Sequence, residues 1–235
     1  MARTDTSFAN RRGDLTEYFD RTASETWARL TSDAPVSGIR QTVREGRDRM
    51  RATLMSWLPA QMRGARLLDA GCGTGSLSVE AAGRGASVLA VDVAASLLDV
   101  ARERLPAFVG GGSVTFVAGD MTDPAHGTFD HVVAMDSLIH YELKDIAAAL
   151  ATLAARTRHS ILFTVAPRTP LLSAMPLAGK LFPRADRAPA IVPVALTHLR
   201  DRIAATPELR GWRVARDGRI SGGFYTSHAV ELVRA

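Results

Sequence analysis

The run Leu67-Leu68-Asp69-Ala70-Gly71-Cys72-Gly73-Thr74-Gly75 narrows the fold of this chain more than any other stretch. Apolar residues lead into an acid, three glycines follow at alternate positions, and Ser76-Leu77-Ser78-Val79-Glu80-Ala81-Ala82 then reads as a helix. The order is strand, tight turn, helix start. Glycine permits positive φ in such a turn and lets a ligand approach the backbone. From Arg66 onward strands and helices alternate. Strands are expected at Arg66–Ala70, Ser87–Asp92, 114–120, 129–136 and 160–166, with helices over 76–84, 94–105 and 144–156. A helix over 197–206 and strands at 212–216 and 224–233 close the series. Regular alternation of this kind gives an α/β, Rossmann-like fold: a seven-stranded, mostly parallel sheet with helices on both faces.

Asp69 discriminates between the ligands such a turn can hold. A turn that binds pyrophosphate offers bare amides and a helix N-terminus to negative charge. A carboxylate at its mouth repels that anion and attracts a cation, such as the ammonium group of an amino-acid moiety. S-adenosylmethionine (SAM) carries an ammonium beside its sulfonium and no phosphate, so the pattern favours SAM over NAD. Two further acids, Asp92 and Asp120, end the next two expected strands, and ligands of open parallel sheets bind beyond the carboxyl ends of strands. Asp92 is placed to accept both ribose hydroxyls. Asp120 is placed to accept the adenine amine, with Met121 packed on the ring. Gly71, Cys72, Gly73, Gly75, Val93 and Met135 complete the expected donor site. A strand-end aspartate taken alone often just caps the following helix.

With 235 residues, one domain spanning 1–235 is expected: a helical arm (1–60), a SAM-binding core (61–166), an insert (167–193) and a C-terminal helix with a strand pair (194–235). The arm shows apolar residues three and four apart, interrupted by turn residues and a proline at 31–38. The insert holds six of the 11 prolines and breaks the alternation; a loop of that length is usually a lid or a substrate-binding element. Segment 52–155 is acidic, with 11 acidic against 6 basic side chains, whereas 156–235 has 13 basic against 5 acidic. An acidic cofactor half suits a cationic donor, and a basic last third suits an anionic substrate or partner. No basic run of the nucleic-acid type is present, and there is neither a P-loop lysine nor a metal-ligand cluster. Cys72 is the only cysteine, which excludes an intrachain disulfide and suits a reducing compartment. The polar N-terminus lacks the apolar core of a signal peptide, and no stretch reaches the ~20 apolar residues of a membrane span. A cytoplasmic location is expected, with the apolar 171–182 segment the candidate for weak peripheral contact with a membrane.

The glycine turn and its acids resemble SAM-dependent class I methyltransferases over roughly 66–165. A second set of strings resembles one family within that class: Tyr18-Phe19-Asp20-Arg21, Trp27-Ala28-Arg29-Leu30, Ser37-Gly38-Ile39-Arg40, Asp136-Ser137-Leu138-Ile139-His140-Tyr141, Ala166-Pro167-Arg168-Thr169-Pro170 and Gly179-Lys180-Leu181-Phe182-Pro183 are similar to the magnesium-protoporphyrin IX O-methyltransferases of bacteriochlorophyll biosynthesis. Ser24-Glu25 is a mild departure in the arm. The resemblance implies methylation of one propionate of Mg-protoporphyrin IX, with magnesium present only as part of the substrate, and delivery by the porphyrin-binding subunit of magnesium chelatase. The alternatives are a class I methyltransferase acting on another small apolar acid or phenol, and a non-catalytic SAM- or NAD-binding module.

A porphyrin is a wide apolar disc with two carboxylates on one edge, so it needs an apolar slot rimmed by cations. Arg168, whose guanidinium can grip a carboxylate with two parallel hydrogen bonds, Lys180 and Tyr141 are the expected substrate-binding residues. His140, just past the fourth strand, is expected to position the reacting carboxylate or keep it unprotonated, with axial contact to magnesium the lesser role. Tyr18 is expected to close over the sulfonium and orient the methyl group. Each has a plainer reading, as a packed histidine and an arm-packing aromatic.

Overall fold

In the computed structural model, which describes residues 38–168 and 190–235 together with Arg11, Gly13, Leu15, Thr16, Tyr18 and Thr31, the alternation begins at Arg66 as the sequence predicts. The elements are α1 (Gly38–Trp57), β1 (Arg66–Ala70), α2 (Ser76–Gly83), β2 (Ser87–Asp92), α3 (Ala95–Arg104), β3 (Ser113–Ala118), β4 (Phe129–Ala134), α4 (Leu143–Ala154), β5 (Thr157–Val165), α5 (Leu196–Ala205), β6 (Trp212–Gly222) and β7 (Tyr225–Arg234). The sheet order is β3-β2-β1-β4-β5-β7-β6. Its first five strands are parallel, and β7 runs antiparallel to β5 and β6.

Successive strand residues face opposite sides of a sheet, and a sheet covered on both sides needs apolar residues at both. Leu67 and Leu68, Val132 and Val133, and Ile161 and Leu162 show this, since the members of each pair enter different cores. Leu68, Val132, Ile161 and Phe163 pack with Ile146 and Leu150 of α4 and Leu199 and Ile203 of α5. Leu67, Val133 and Leu162 pack with Met50 and Leu54 of α1 and Leu77 and Ala81 of α2. Each fully buried side chain of this size contributes about 1.5–3 kcal/mol. Helix α1 comes unusually close to β7: a Cβ on Gly46 would lie 2.5 Å from the Tyr225 ring.

Several boundaries differ from expectation, among them β5, which begins at Thr157 rather than at 160. Strand β3 stops at Ala118 and β4 at Ala134, so Asp120 and Asp136 stand beyond their strands rather than ending them. Strand β6 continues to Gly222; as the edge strand it leaves Arg213, Arg216, Arg219 and Ser221 exposed, and the three arginines fit there as charges that discourage edge pairing. The C-terminal part of the arm is one helix that starts at Gly38, at the end of the predicted break.

The insert departs from and returns to one place. The Val194 N–H donates to the Ala166 carbonyl (2.8 Å), the Arg168 N–H to the Val194 carbonyl (3.2 Å), and the Val192 N–H to the Ile139 carbonyl (2.8 Å). Its ends are thereby pinned together beyond β5. Residues 169–189, with Lys180 and the 171–182 segment, lie outside the described residues, as does most of the chain before Gly38. Among the described residues no helix is long and apolar enough to cross a membrane.

Candidate active site

Strand order reverses between β1 and β4, the place where open α/β sheets bind ligands. A cavity of about 570 Å³ opens there. The glycine turn forms one wall, with φ of 83°, 53° and 77° at Gly71, Gly73 and Gly75. The Gly71 and Cys72 N–H groups both donate to the Val91 carbonyl, and the Gly73 N–H donates to Asp92 Oδ2 at 2.8 Å. The turn is therefore held against the end of β2.

Most residues singled out from the sequence converge on this cavity. Tyr18, Asp69, Gly71, Cys72, Gly73, Asp92, Val93, Asp120, Met121, Met135, His140 and Tyr141 all line it. Gly75 stands behind the wall as the left-handed N-cap of α2, where a Cβ would meet the Phe116 ring at 2.9 Å. Arg168 is exposed and does not line the cavity, and its place on the insert's pinned stem accounts for this.

Asp69 is 2 % exposed and accepts the Ser78 hydroxyl at 2.6 Å. Burial pushes its carboxyl up to about 7, partly offset by the Ser78 hydrogen bond and reinforced by the nearby Asp92 charge. Ionised Asp69 is the form that attracts an ammonium, so below about pH 7 a bound cation must displace a proton. Affinity for S-adenosylhomocysteine (SAH) is expected to fall by up to about tenfold per pH unit on going down from 7. Calorimetry in two buffers of different ionisation enthalpy should show matching proton release. A dissociation constant that stays flat from pH 5.5 to 7.5 removes Asp69 as the counterion.

Asp92 Oδ1 also accepts the Ala94 N–H at 2.9 Å, so each of its oxygens already holds one backbone donor. Asp120 Oδ1 accepts both the N–H and the hydroxyl of Thr122, which sets the carboxylate in a tight local turn. Burial pushes the Cys72 thiol well up, so it stays protonated, as a small wall residue should. His140 closes a 3₁₀ turn (Leu138–His140) and is 8 % exposed, and its Nδ1–H donates to the Ala190 carbonyl at 3.3 Å. Burial lowers its pKa, so the ring is neutral near pH 7 with its lone pair on Nε2. Burial raises the Tyr18 phenol, which stays protonated.

Among the described residues the basic last third does not supply the cavity's cations. Among the described residues these are Arg44, Arg47 and Arg51, all from α1. Two arginines of the last third are paired with acids: Arg216 with Glu231 (2.6 Å) and Arg200 with Asp217 (2.8 Å). The positions 44, 47 and 51 are three and four apart, a legible helix face. A fourth acid, Asp136, standing just beyond β4, also lines the cavity and continues the series Asp69, Asp92 and Asp120. Tyr225 and Ser227 of β7 join it there. Among the described residues no cluster of His, Cys, Asp or Glu could hold a metal ion.

This sheet order, with its single antiparallel strand beside β5 and a glycine-turn cavity ringed by acids, defines a SAM-dependent class I methyltransferase. A family model described as "Methyltransferase domain" matches residues 67–160, and one described as "Magnesium-protoporphyrin IX methyltransferase C-terminus" matches 134–234. The chain is 51% identical to a magnesium-protoporphyrin O-methyltransferase of Rhodobacter capsulatus over 95% of its own length and 97% of the relative's. It is 30% identical to the protein of that name from Synechocystis sp., covering 93% of this chain and 94% of the other. The crystal structure of magnesium protoporphyrin IX methyltransferase from Synechocystis PCC 6803 with bound SAH superposes with a TM-score of 0.83 at 27% identity, covering 96% of this chain and 100% of that one. The chain belongs to the magnesium-protoporphyrin O-methyltransferase family.

Proposed function

We propose that this chain transfers the methyl group of SAM to a propionate carboxylate of Mg-protoporphyrin IX, giving the monomethyl ester and SAH. The observation that carries the reading is the 51% identity, which extends over 95% of the chain and so is not confined to the donor-binding core. A propionate is already ionised near neutral pH. Its oxygen attacks the methyl carbon as the S–CH₃ bond breaks and the electron pair returns to sulfur, so no proton need move. The sulfonium charge disappears in this step, and the acids around the glycine turn then hold the neutral sulfur of SAH less strongly than the cation. What remains for the protein is to strip water from the oxygen and align it with the S–CH₃ bond.

In this reading Asp69 holds the donor's ammonium, Asp92 its ribose, and Asp120 with Met121 its adenine, against walls of Gly71, Cys72, Gly73, Val93 and Met135. Gly75 shapes the turn from behind. His140 and Tyr18 act at the reacting atoms and Tyr141 at the porphyrin. Arg168 and Lys180, on the insert, pair with a porphyrin propionate. The test is incubation with SAM and Mg-protoporphyrin IX followed by product mass. A single added methyl on the porphyrin is expected; unchanged porphyrin with intact SAM binding defeats the reading.

Hand-over from the porphyrin-binding subunit of magnesium chelatase is the partner this function calls for. Absence of co-precipitation with that subunit loaded with substrate counts against it. Contact of the 171–182 segment with a lipid surface is the corresponding membrane proposal, read by co-sedimentation with anionic vesicles.

A further inference from the structure

Asp136 is the single non-glycine residue with positive φ (54°) among the described residues, a conformation that persists only where its surroundings impose it. The surroundings are four side chains from three elements meeting on one carboxylate. Arg47 of α1 donates to Oδ2 at 2.7 Å. The Tyr225 phenol of β7 donates at 3.1 Å to Oδ1 and 3.3 Å to Oδ2. The Thr164 hydroxyl of β5 lies 3.2 Å from Oδ1 and the Ser227 hydroxyl 3.4 Å. A second observation stands beside the first. The hydroxyl of Ser137, the next residue, is buried without a hydrogen-bond partner; Arg156 Nε is the other such side-chain atom among the described residues. Buried polar groups of native proteins are almost always partnered, so one that faces a cavity points to a ligand. Ser137 lines the cavity and packs against the glycine turn, where a Cβ on Gly71 would lie 2.4 Å from the Ser137 Cβ.

We infer that Arg47 and the Ser137 hydroxyl form a carboxylate receptor, and that Asp136 is the positioning residue that holds Arg47 at the cavity wall. The chemistry fits an anion. A guanidinium and a neutral hydroxyl both donate, Arg44 lines the same cavity one helical turn earlier, and Asp136 is occupied by its own donors. The inference rests on the proposed reaction, in which two molecules bring carboxylates here: the donor through its amino-acid end and the porphyrin through its propionates.

Paired ligands with and without the carboxylate test it. Equilibrium binding of SAH and of its decarboxylated analogue, which keeps the ammonium, and of Mg-protoporphyrin IX and its dimethyl ester, is measured for Ser137→Ala, Arg47→Gln, Arg47→Lys and Asp136→Asn. Ser137→Ala removes a hydroxyl that no protein group uses, so its fold and melting temperature should hold. One acid is expected to weaken about tenfold in Arg47→Gln and severalfold in Ser137→Ala, with its carboxylate-free counterpart unchanged. Arg47→Lys should recover part of the loss, because it keeps the charge without the fork. Asp136→Asn should weaken the same acid. Loss confined to SAH assigns the receptor to the donor, and loss confined to the porphyrin acid assigns it to the substrate. If neither acid weakens, or each weakens together with its carboxylate-free counterpart, the receptor does not exist. Binding is read without turnover, so a wild-type protein that forms no ester defeats the proposed function separately.

Discussion

His140→Ala should slow ester formation by about 100-fold, at the lower end of what a positioned acid–base group supplies, while leaving the SAH dissociation constant within about twofold. The separation follows from placement: His140 sits on the turn after β4, while the donor is proposed to lie between the glycine turn and the ends of β2 and β3. The hydrogen bond to Ala190 fixes the tautomer, because a carbonyl can only accept and Nδ1 must therefore carry the proton. A neutral ring in that state cannot donate from Nε2 to a carboxylate. Of the three roles the sequence left open, holding a propionate anion by donation from Nε2 is thus disfavoured; keeping unprotonated the fraction of propionate that a desolvated cavity would hold as the acid, or touching the substrate's magnesium, is favoured. The two survivors differ in their readouts. A proton acceptor gives an acid limb in kcat/KM at a pH below the ordinary histidine value, since burial lowers the pKa, and the limb disappears in the variant. A magnesium contact weakens binding of Mg-protoporphyrin IX relative to metal-free protoporphyrin. Normal turnover in His140→Ala removes the residue from the chemistry altogether.

What could be read from the chain beforehand divides by sequence distance. The first two strands were legible to the residue because each is a short apolar run bounded by glycine or an acid. Asp69 and Asp92 were legible for the same reason, being marked by the strand they end. The network around Asp136 was not, since its partners Arg47 and Tyr225 each lie 89 positions away along the chain. Even so, Asp136 continued a series of strand-end acids already in view, and a fourth member could have been sought on that ground. Arg44, Arg47 and Arg51 form a face by spacing alone. What they face depends on how α1 seats on β7, and that is decided at Gly46, a residue that in a helix reads only as a weakness. Net charge by segment is a coarse guide, since it counts Arg200 and Arg216 with the rest although both are paired with acids on the sheet.

Asp92→Ala is expected to weaken SAH binding by more than tenfold, and here the structure changes what the experiment measures. The sequence suggested only an acceptor for ribose hydroxyls. The structure adds that Oδ2 holds the Gly73 N–H and Oδ1 the Ala94 N–H, so the carboxylate also staples the glycine turn to the end of β2. A carboxylate oxygen has lone pairs for two donors, so both jobs can be done at once. Hydrogen bonds to a charged group are worth about 1.5–3 kcal/mol each, and losing a single one already exceeds a tenfold change. The variant also removes a like charge that helps raise Asp69. Asp69 then ionises more readily, which favours the ligand's ammonium and masks part of the loss near pH 7. The measurement therefore belongs at about pH 8, where Asp69 is ionised in both proteins. Asp92→Asn separates the two jobs: one side-chain oxygen is kept, while its amide opposes a backbone N–H that needs an acceptor. A loss of affinity in Asp92→Asn that tracks the fall in apo melting temperature assigns the effect to the staple. A larger loss for SAH than for a 2′,3′-dideoxyribose analogue assigns it to the ribose. Unchanged calorimetry at pH 8 in Asp92→Ala takes the residue out of the site.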